Sequence, residues 1–184
     1  MRVSALIETL NHIRCVDYIL EHIQKPLTTK MVQNLHAMLA AGAVDEQMEC
    51  VTSGEYRNEQ SKRKAPFISS YTEIPSSVKN LLDDYERTNE VMKEAILNFH
   101  VAFEQIFPVD NYNGRVGRLI MFKECLRYYV APFIIDDKRR GRYVEGLSKW
   151  QKDPSILMNV TQECQDRFEC EIYNQHLEEK GICF

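Results

Sequence analysis

Two apolar segments joined by a short polar turn most constrain how this 184-residue chain can fold. The first, Val91 to Ile106, carries apolar side chains at helical spacing over one broad face, and Pro108 follows it. The second, Val116 to Val130, is closed by Pro132, because proline cannot continue a helix. An apolar face that broad indicates a nearly buried helix. The sequence therefore predicts two central helices joined by a tight turn.

Further helical patterns accompany this pair, and strand patterns are scarce. The predicted helices are Leu6 to Ile23, Thr29 to Ala41 with Thr28 as N-cap, one after Pro75 with Ser76 as N-cap, Tyr143 to Gln151, and residues 155 to 179. We predict an all-α bundle around two central helices, with at most a short β-hairpin. Residues 1–41 supply the N-terminal helices, 42–75 a long loop, and 76–184 the core and C-terminal helices of one structural domain.

Composition excludes several classes of protein. The net charge of −4 argues against broad nucleic-acid binding, and no run of apolar residues is long enough for a membrane span. The N-terminus lacks the apolar region of a signal peptide. None of the six cysteines stands in a Cys-x-x-Cys pair, so no zinc site is predicted and the thiols are expected to be reduced. These features favour a cytoplasmic protein without a nucleic-acid or membrane partner.

The turn before the second central helix has the composition of a phosphate-binding site. Asn113 and Gly114 stand at the helix start, where first-turn N–H groups have no partner inside the helix and the dipole favours an anion. Gly114 allows close approach of the backbone, and Arg115 and Arg118 add forked donors. We therefore predict that these four residues bind a phosphate group or nucleotide.

The same segment resembles a known family. Residues 107 to 118 read Phe-Pro-Val-Asp-Asn-Tyr-Asn-Gly-Arg-Val-Gly-Arg, similar to the Fic/Doc (Fido) signature H-P-F-x-D-G-N-G-R-x-x-R. The similarity continues in Gly54-Glu55-Tyr56-Arg57 and covers most of the chain. It implies a helical bundle and transfer of AMP from ATP to a hydroxyl of a target protein. In the family, the signature histidine is the base, the acidic residue holds magnesium, and Asn, Gly and Arg cradle the phosphates.

Two positions of the signature have lost the residues that perform the chemistry. Phe107 replaces the histidine, and a phenyl ring cannot accept a proton. Asn111 replaces the acidic residue, whereas magnesium sites rely on one or two carboxylates. Loss of a general base costs about 10²–10⁴-fold in rate. We therefore predict a catalytically impaired relative of protein adenylyltransferases that keeps the phosphate loop, with ATP as the implied nucleotide, magnesium disfavoured, and no catalytic or metal residue assigned.

Two alternatives stay open, an active nucleotidyltransferase with a non-standard base and a non-catalytic helical interaction domain. His100 lies seven positions before Phe107, roughly 10 Å away along the helix, and is better explained by packing. Asp110 could ligate magnesium from the adjacent position, although its side chain is expected to point elsewhere. The sequence assigns no other substitute for the base or the metal ligand.

The resemblance implies three further assignments. Phe67, Ile68 and Ser69 fall in the family's flap, which docks a target protein; the alternative is a surface loop with Phe67 in the core. Tyr143 falls where the family has an aromatic near adenine, and a core tyrosine is the alternative. Only residues 4 to 8 approach the family's inhibitory pattern Ser/Thr-x-x-x-Glu-Gly/Asn, so the chain is expected to be naturally short or to lack an upstream inhibitory segment.

Overall fold

The computed structural model describes residues 3–42, 53–58, 70–88 and 90–179, with backbone alone for residues 3 and 172–179. These ranges contain seven α-helices, one 3₁₀ turn and no strand, which confirms the predicted all-α fold. The helices are α1 (Val3–Glu21), α2 (Thr29–Ala40), α3 (Ile74–Glu86), α4 (Lys93–Ile106), α5 (Asn113–Arg127), α6 (Arg140–Lys149) and α7 (Ser155–Glu179).

The chain divides into two compact units, and the first ends at Tyr128. In this unit α4 and α5 pack against each other, as expected for two central helices. Helices α1 and α2 pair and contact α5, while α3 packs on α4. The apolar core lies between these helices and includes the fully buried Leu35, Phe103 and Ile120. This packing brings one face of α1 beside the first turn of α5.

The helix starts follow local hydrogen bonding. Thr28 caps α2 as predicted, since its hydroxyl accepts the N–H of Met31 at 3.2 Å. The prediction of Ser76 as the cap of α3 is wrong, because α3 begins at Ile74 and the Ser76 hydroxyl donates to the Glu73 carbonyl. Pro75 lies in the first turn, where the N–H that proline lacks has no partner inside the helix anyway. The helix can therefore start before the proline.

The bounds of α5 differ from the predicted Val116 to Val130 by three residues at each end. Tyr112, in the left-handed region at φ 62°, immediately precedes the helix, so Asn113 is already inside the first turn. The helix ends at Arg127, and Tyr129 is left-handed at φ 57°. A left-handed residue commonly ends a helix. Pro132 therefore follows the end of α5 and does not cause it.

The second unit begins at Tyr129 and contains α6 and α7, which pack against each other. Gly146 permits their close approach, because a Cβ there would lie 2.9 Å from backbone and side-chain atoms of Leu157. Trp150 and Val160 are buried in the same unit. Among the described helices, none is both long and apolar enough to cross a bilayer.

Candidate anion site

The loop between α4 and α5 begins with an unusual backbone bend at Phe107. This residue ends α4 with φ 49° and ψ 59°, and its N–H donates to the Phe103 carbonyl at 3.0 Å. A left-handed conformation is uncommon for a residue other than glycine and persists only where the surroundings impose it. The source of that constraint is a residue fifty positions earlier in the chain.

Arg57 holds the bend from outside the loop. Its Nε donates to the Phe107 carbonyl at 2.6 Å, and its backbone N–H donates to the Pro108 carbonyl at 2.9 Å. The guanidinium carbon lies 5.1 Å from the ring centroid of Tyr71 and 5.6 Å from that of Phe107, within cation–π range. Arg57 is only 5% exposed. The phenyl ring at the family's base position therefore packs against a buried cation.

Asn113 uses its side-chain amide inside the protein. The Nδ2 group donates to Glu104 Oε2 at 3.1 Å, and Oδ1 accepts the N–H of Val109 at 3.4 Å. Asn113 is buried, and burial is also the main reason that the pKa of Glu104 is raised. This amide therefore links α4 to the loop and fixes the start of α5.

The two predicted arginines lie on the open side of this start. A Cβ at Gly114 would lie 3.1 Å from Arg118 Nη1, so the guanidinium of Arg118 folds over the first turn. Arg115 Nη1 pairs with Glu8 Oε2 at 2.8 Å, and its guanidinium carbon lies 5.1 Å from the ring of Tyr112. The Tyr112 hydroxyl donates to Glu8 Oε1 at 3.4 Å. The structure thus brings Gly114, Arg115 and Arg118 together.

A cleft of about 430 Å³ opens between α1 and these arginines. Its lining residues are Ala5, Glu8, Thr9, His12, Arg115 and Arg118. The pKa of His12 is lowered, first by burial and then by the positive charges of the two arginines. Sequence reasoning did not assign Glu8, Thr9 or His12 to the site. Their common polar helix face was the available signal, but the sequence does not say which helix that face meets.

His100, the histidine of α4, is a poor candidate for the base that the family has at position 107. His100 is 0% exposed, and burial, aided by the charge of Arg118, lowers its pKa to about 3. An imidazole that weakly basic and sealed from solvent is a poor acceptor for a substrate proton. His100 instead packs against Gly117, where a Cβ would lie 3.1 Å from its ring. This agrees with the packing role expected from the sequence.

One carboxylate, Asp110, stands in the loop next to the position of the family's metal ligand. Among the described residues, no three His, Cys, Asp or Glu side chains converge as a metal site. The side chains in the relevant part of the loop are one carboxylate, Asp110, and the neutral amide of Asn111. Magnesium sites on phosphates use one or two carboxylates, and the family's own ligand position holds an amide here, so a disfavoured magnesium site stays a prediction.

The structure does not test the remaining predicted site residues. Phe67, Ile68 and Ser69 lie outside the described residues. Tyr143 belongs to α6 in the second unit and is 4% exposed. The assignments of a docking flap and of an aromatic beside adenine therefore stay predictions.

Comparison with known proteins addresses the family and the fold. Residues 26–125 match the model of the Fic/DOC family. A Fic domain containing signaling protein from Bacteroides thetaiotaomicron superposes with a TM-score of 0.75 at 18% identity, over 91% of this chain and 70% of that chain. A Fic family protein from Desulfovibrio desulfuricans gives 0.72 at 21% identity, over 96% and 56%. No curated protein matches the chain.

A segment of Fic-1 from C. elegans gives a TM-score of 0.75 at 15% identity and covers 97% of this chain. This chain spans 54% of that segment and 56% of the Desulfovibrio protein, about half of each. At these identities the superpositions show that the fold is shared.

Proposed function

Because the chain belongs to the Fic/DOC family, we propose that it is a Fic domain which binds a phosphate-bearing ligand at the start of α5 but transfers it slowly or not at all. The nucleotide implied by the resemblance is ATP. The proposal separates two properties, an anion site that is retained and a base that is lost. One observation carries it, namely that two guanidiniums flank the start of α5 while a phenyl ring occupies the base position.

The proposed anion site is supported by the positions of Arg118 and Gly114. Arg118 lies over the first turn of α5 and forms no ion pair with any described residue. A guanidinium in that position matches the geometry of a phosphate oxygen pair. The first-turn N–H groups and the helix dipole act in the same direction. Arg115 adds a second cation, although Glu8 competes for it.

The proposed loss of the general base is supported by the surroundings of Phe107. The ring is packed against Arg57, and the bend that carries it is fixed by two hydrogen bonds to that arginine. His100 is too weakly basic to substitute, and the neutral amide of Asn111 stands where the family has its carboxylate for magnesium. Without a general base or a bound metal ion, we expect attack by a target hydroxyl on the nucleotide to be slow.

Calorimetric titration tests the binding half. ATP, ADP and AMP are titrated with and without magnesium into the wild type and Arg118→Ala. We expect binding of ATP and ADP that is weakened at least about tenfold by Arg118→Ala and changes little with magnesium. Strong magnesium-dependent affinity would contradict the inferred loss of the metal site. Absence of any binding would reject the retained anion site.

Transfer is tested with ATP carrying a label on the α-phosphate and a cell lysate. We expect no Arg115-dependent labelling of protein by the wild type. The paired variant Phe107→His with Asn111→Asp restores the family's base and carboxylate and is expected to gain some transfer. Labelling by the wild type that disappears in Arg115→Ala would instead identify an active enzyme with a non-standard base.

A second candidate function is a helical interaction domain in which the motif has a structural role. The observation favouring it is that the Asn113 amide is bonded to Glu104 and Val109, and that Arg115 is paired with Glu8. In that case Arg118→Ala changes stability without affecting any nucleotide titration. The calorimetric experiment therefore distinguishes the two functions directly.

A further inference from the structure

The cleft between α1 and α5 contains an excess of positive charge. Arg115 and Arg118 face it from α5, and Glu8 faces it from α1. Arg115 is paired with Glu8, whereas Arg118 has no ion pair among the residues that can be described. Glu104 lies behind Gly114, on the α4 side; burial raises the pKa of its carboxyl, while the hydrogen bond from Asn113 and the charge of Arg118 act to lower it. The charged side chains that line the cleft are thus two guanidiniums and one carboxylate.

His12 is the titratable group that can change this balance. It lies one helical turn after Glu8 on the same face of α1 and lines the same cleft as both arginines. Tyr112 contributes a hydroxyl from the loop, which is bonded to Glu8. Thr9 is the other polar residue on the α1 wall, and its hydroxyl donates to the Ala5 carbonyl. Among these groups only His12 gains a positive charge at mildly acidic pH.

We propose that His12 makes this anion site proton-responsive, so that a phosphate-type oxyanion between α1 and α5 is held more tightly when the imidazole is protonated. The inference rests on the proposed function, because it concerns the regulation of the same site. It adds a residue of α1 to the ligand-binding surface. It also gives the site a dependence on pH that the motif residues alone, whose arginines stay charged, do not provide.

The direction of the effect follows from charge. Burial first, and then the positive charges of Arg115 and Arg118, lower the pKa of His12. A bound dianion reverses the sign of the local field and favours the imidazolium. Coupling between two binding events is reciprocal, so an anion that promotes protonation is itself bound more tightly at lower pH.

Sulfate is the appropriate probe, since its charge stays constant over the range from about pH 5 to about pH 8 in which histidine titrates. Calorimetry or chemical-shift titration of the full chain with sulfate is expected to give about tenfold tighter binding at the acidic end. In His12→Gln the affinity is expected to be independent of pH and close to the wild-type value at about pH 8. His22→Gln, one residue past the end of α1, is the matched control and should keep the wild-type dependence.

Two further arms separate this inference from the proposed function. Glu8 also faces the cleft and carries an acidic side chain. The sulfate titrations are therefore repeated in Glu8→Gln, where sulfate should bind more tightly overall and its affinity should still increase as pH falls. The pKa of His12, followed by NMR, is expected to rise when sulfate is added, and Arg118→Ala should abolish that rise. Sulfate binding that needs Arg118 but is the same at every pH would overturn the role of His12 and leave the anion site standing. No sulfate binding at any pH would overturn both.

Discussion

The two ends of α5 differ in how far their charged side chains are paired. At the C-terminal end, Lys123 and Glu124 are both 0% exposed, and Lys123 Nζ bonds to Glu124 Oε1 at 2.6 Å. Lys123 also donates to the Lys25 carbonyl at 2.7 Å, and Arg127 forks onto Glu86 at 2.6 and 3.0 Å. Every charge in this cluster has a partner, as burial of ions requires.

The N-terminal end carries cations that are only partly compensated. Arg115 and Arg118 lie where the helix dipole is already positive, and an arginine there weakens the helix unless an anion offsets it. Of the two, only Arg115 forms an ion pair in the described part of the chain. The comparison indicates that one end of α5 is arranged for stability, while the other keeps a charge imbalance that a ligand would relieve.

The largest effect is expected from breaking the compensated end. Lys123→Met removes one member of a fully buried pair and leaves Glu124 without its nearest countercharge. We expect a loss of about 3–5 kcal/mol in the free energy of unfolding, measured by urea or thermal denaturation. Lys79→Met is the control, because Lys79 and Asp83 form an exposed pair of the kind that contributes less than about 1 kcal/mol. Equal losses in both variants would contradict the assigned difference in burial.

An intermediate effect is expected at Arg57, which shapes the loop leading into the uncompensated end. Arg57→Ala deletes the hydrogen bond to the Phe107 carbonyl and the cation between the two rings. We expect a loss of about 2–3 kcal/mol in the free energy of unfolding, together with weaker sulfate binding, because the α5 start is no longer fixed.

Arg57→Lys is the matched variant for this prediction, since it keeps the charge but not the planar fork. Its loss of stability should be smaller than that of Arg57→Ala. If neither variant changes sulfate binding, the bend at Phe107 does not control the geometry of the anion site, and Arg57 has a purely structural role.

The smallest effect is expected from Glu104, on the buried side of the same helix start. Burial raises the pKa of Glu104, so the folded chain holds this proton to higher pH than the unfolded chain. The contribution of Glu104 to stability therefore falls as pH rises above the usual glutamate pKa and through the raised value. Glu104→Gln removes this decline while leaving an oxygen to accept from Asn113.

Denaturation at a series of pH values from about 4 to about 8 checks this expectation. The stability of Glu104→Gln relative to wild type should increase with pH. Two parallel pH profiles would show that Glu104 has the same pKa in the folded and unfolded chains.

Much of the fold could be predicted from the sequence, because helix periodicity is a local signal. The apolar spacing of α1, α2 and α4 located these helices, and the position of Thr28 correctly predicted a cap. The bounds of α5 could not be predicted in the same way. They depend on left-handed conformations at Tyr112 and Tyr129. A glycine in the sequence suggests such a conformation, whereas an aromatic residue does not.

The site was less accessible to sequence reasoning, because its remaining parts come from distant segments. The motif identified Gly114, Arg115 and Arg118, and these residues do lie together. Arg57 reaches the loop across about fifty positions, and His12 reaches Arg115 across more than a hundred. The proximity of His12 to Arg115 follows from packing of α1 on α5, and no spacing in the chain encodes either of these contacts.

The contact between Arg57 and the ring at position 107 bears on the variant Phe107→His. An imidazole introduced by Phe107→His would share its face with a permanent, buried cation. Such a neighbour disfavours imidazolium, so the new side chain would stay uncharged near neutrality and available to take up a proton. The buried charge of Arg57 would therefore favour the uncharged, proton-accepting form of a histidine at position 107.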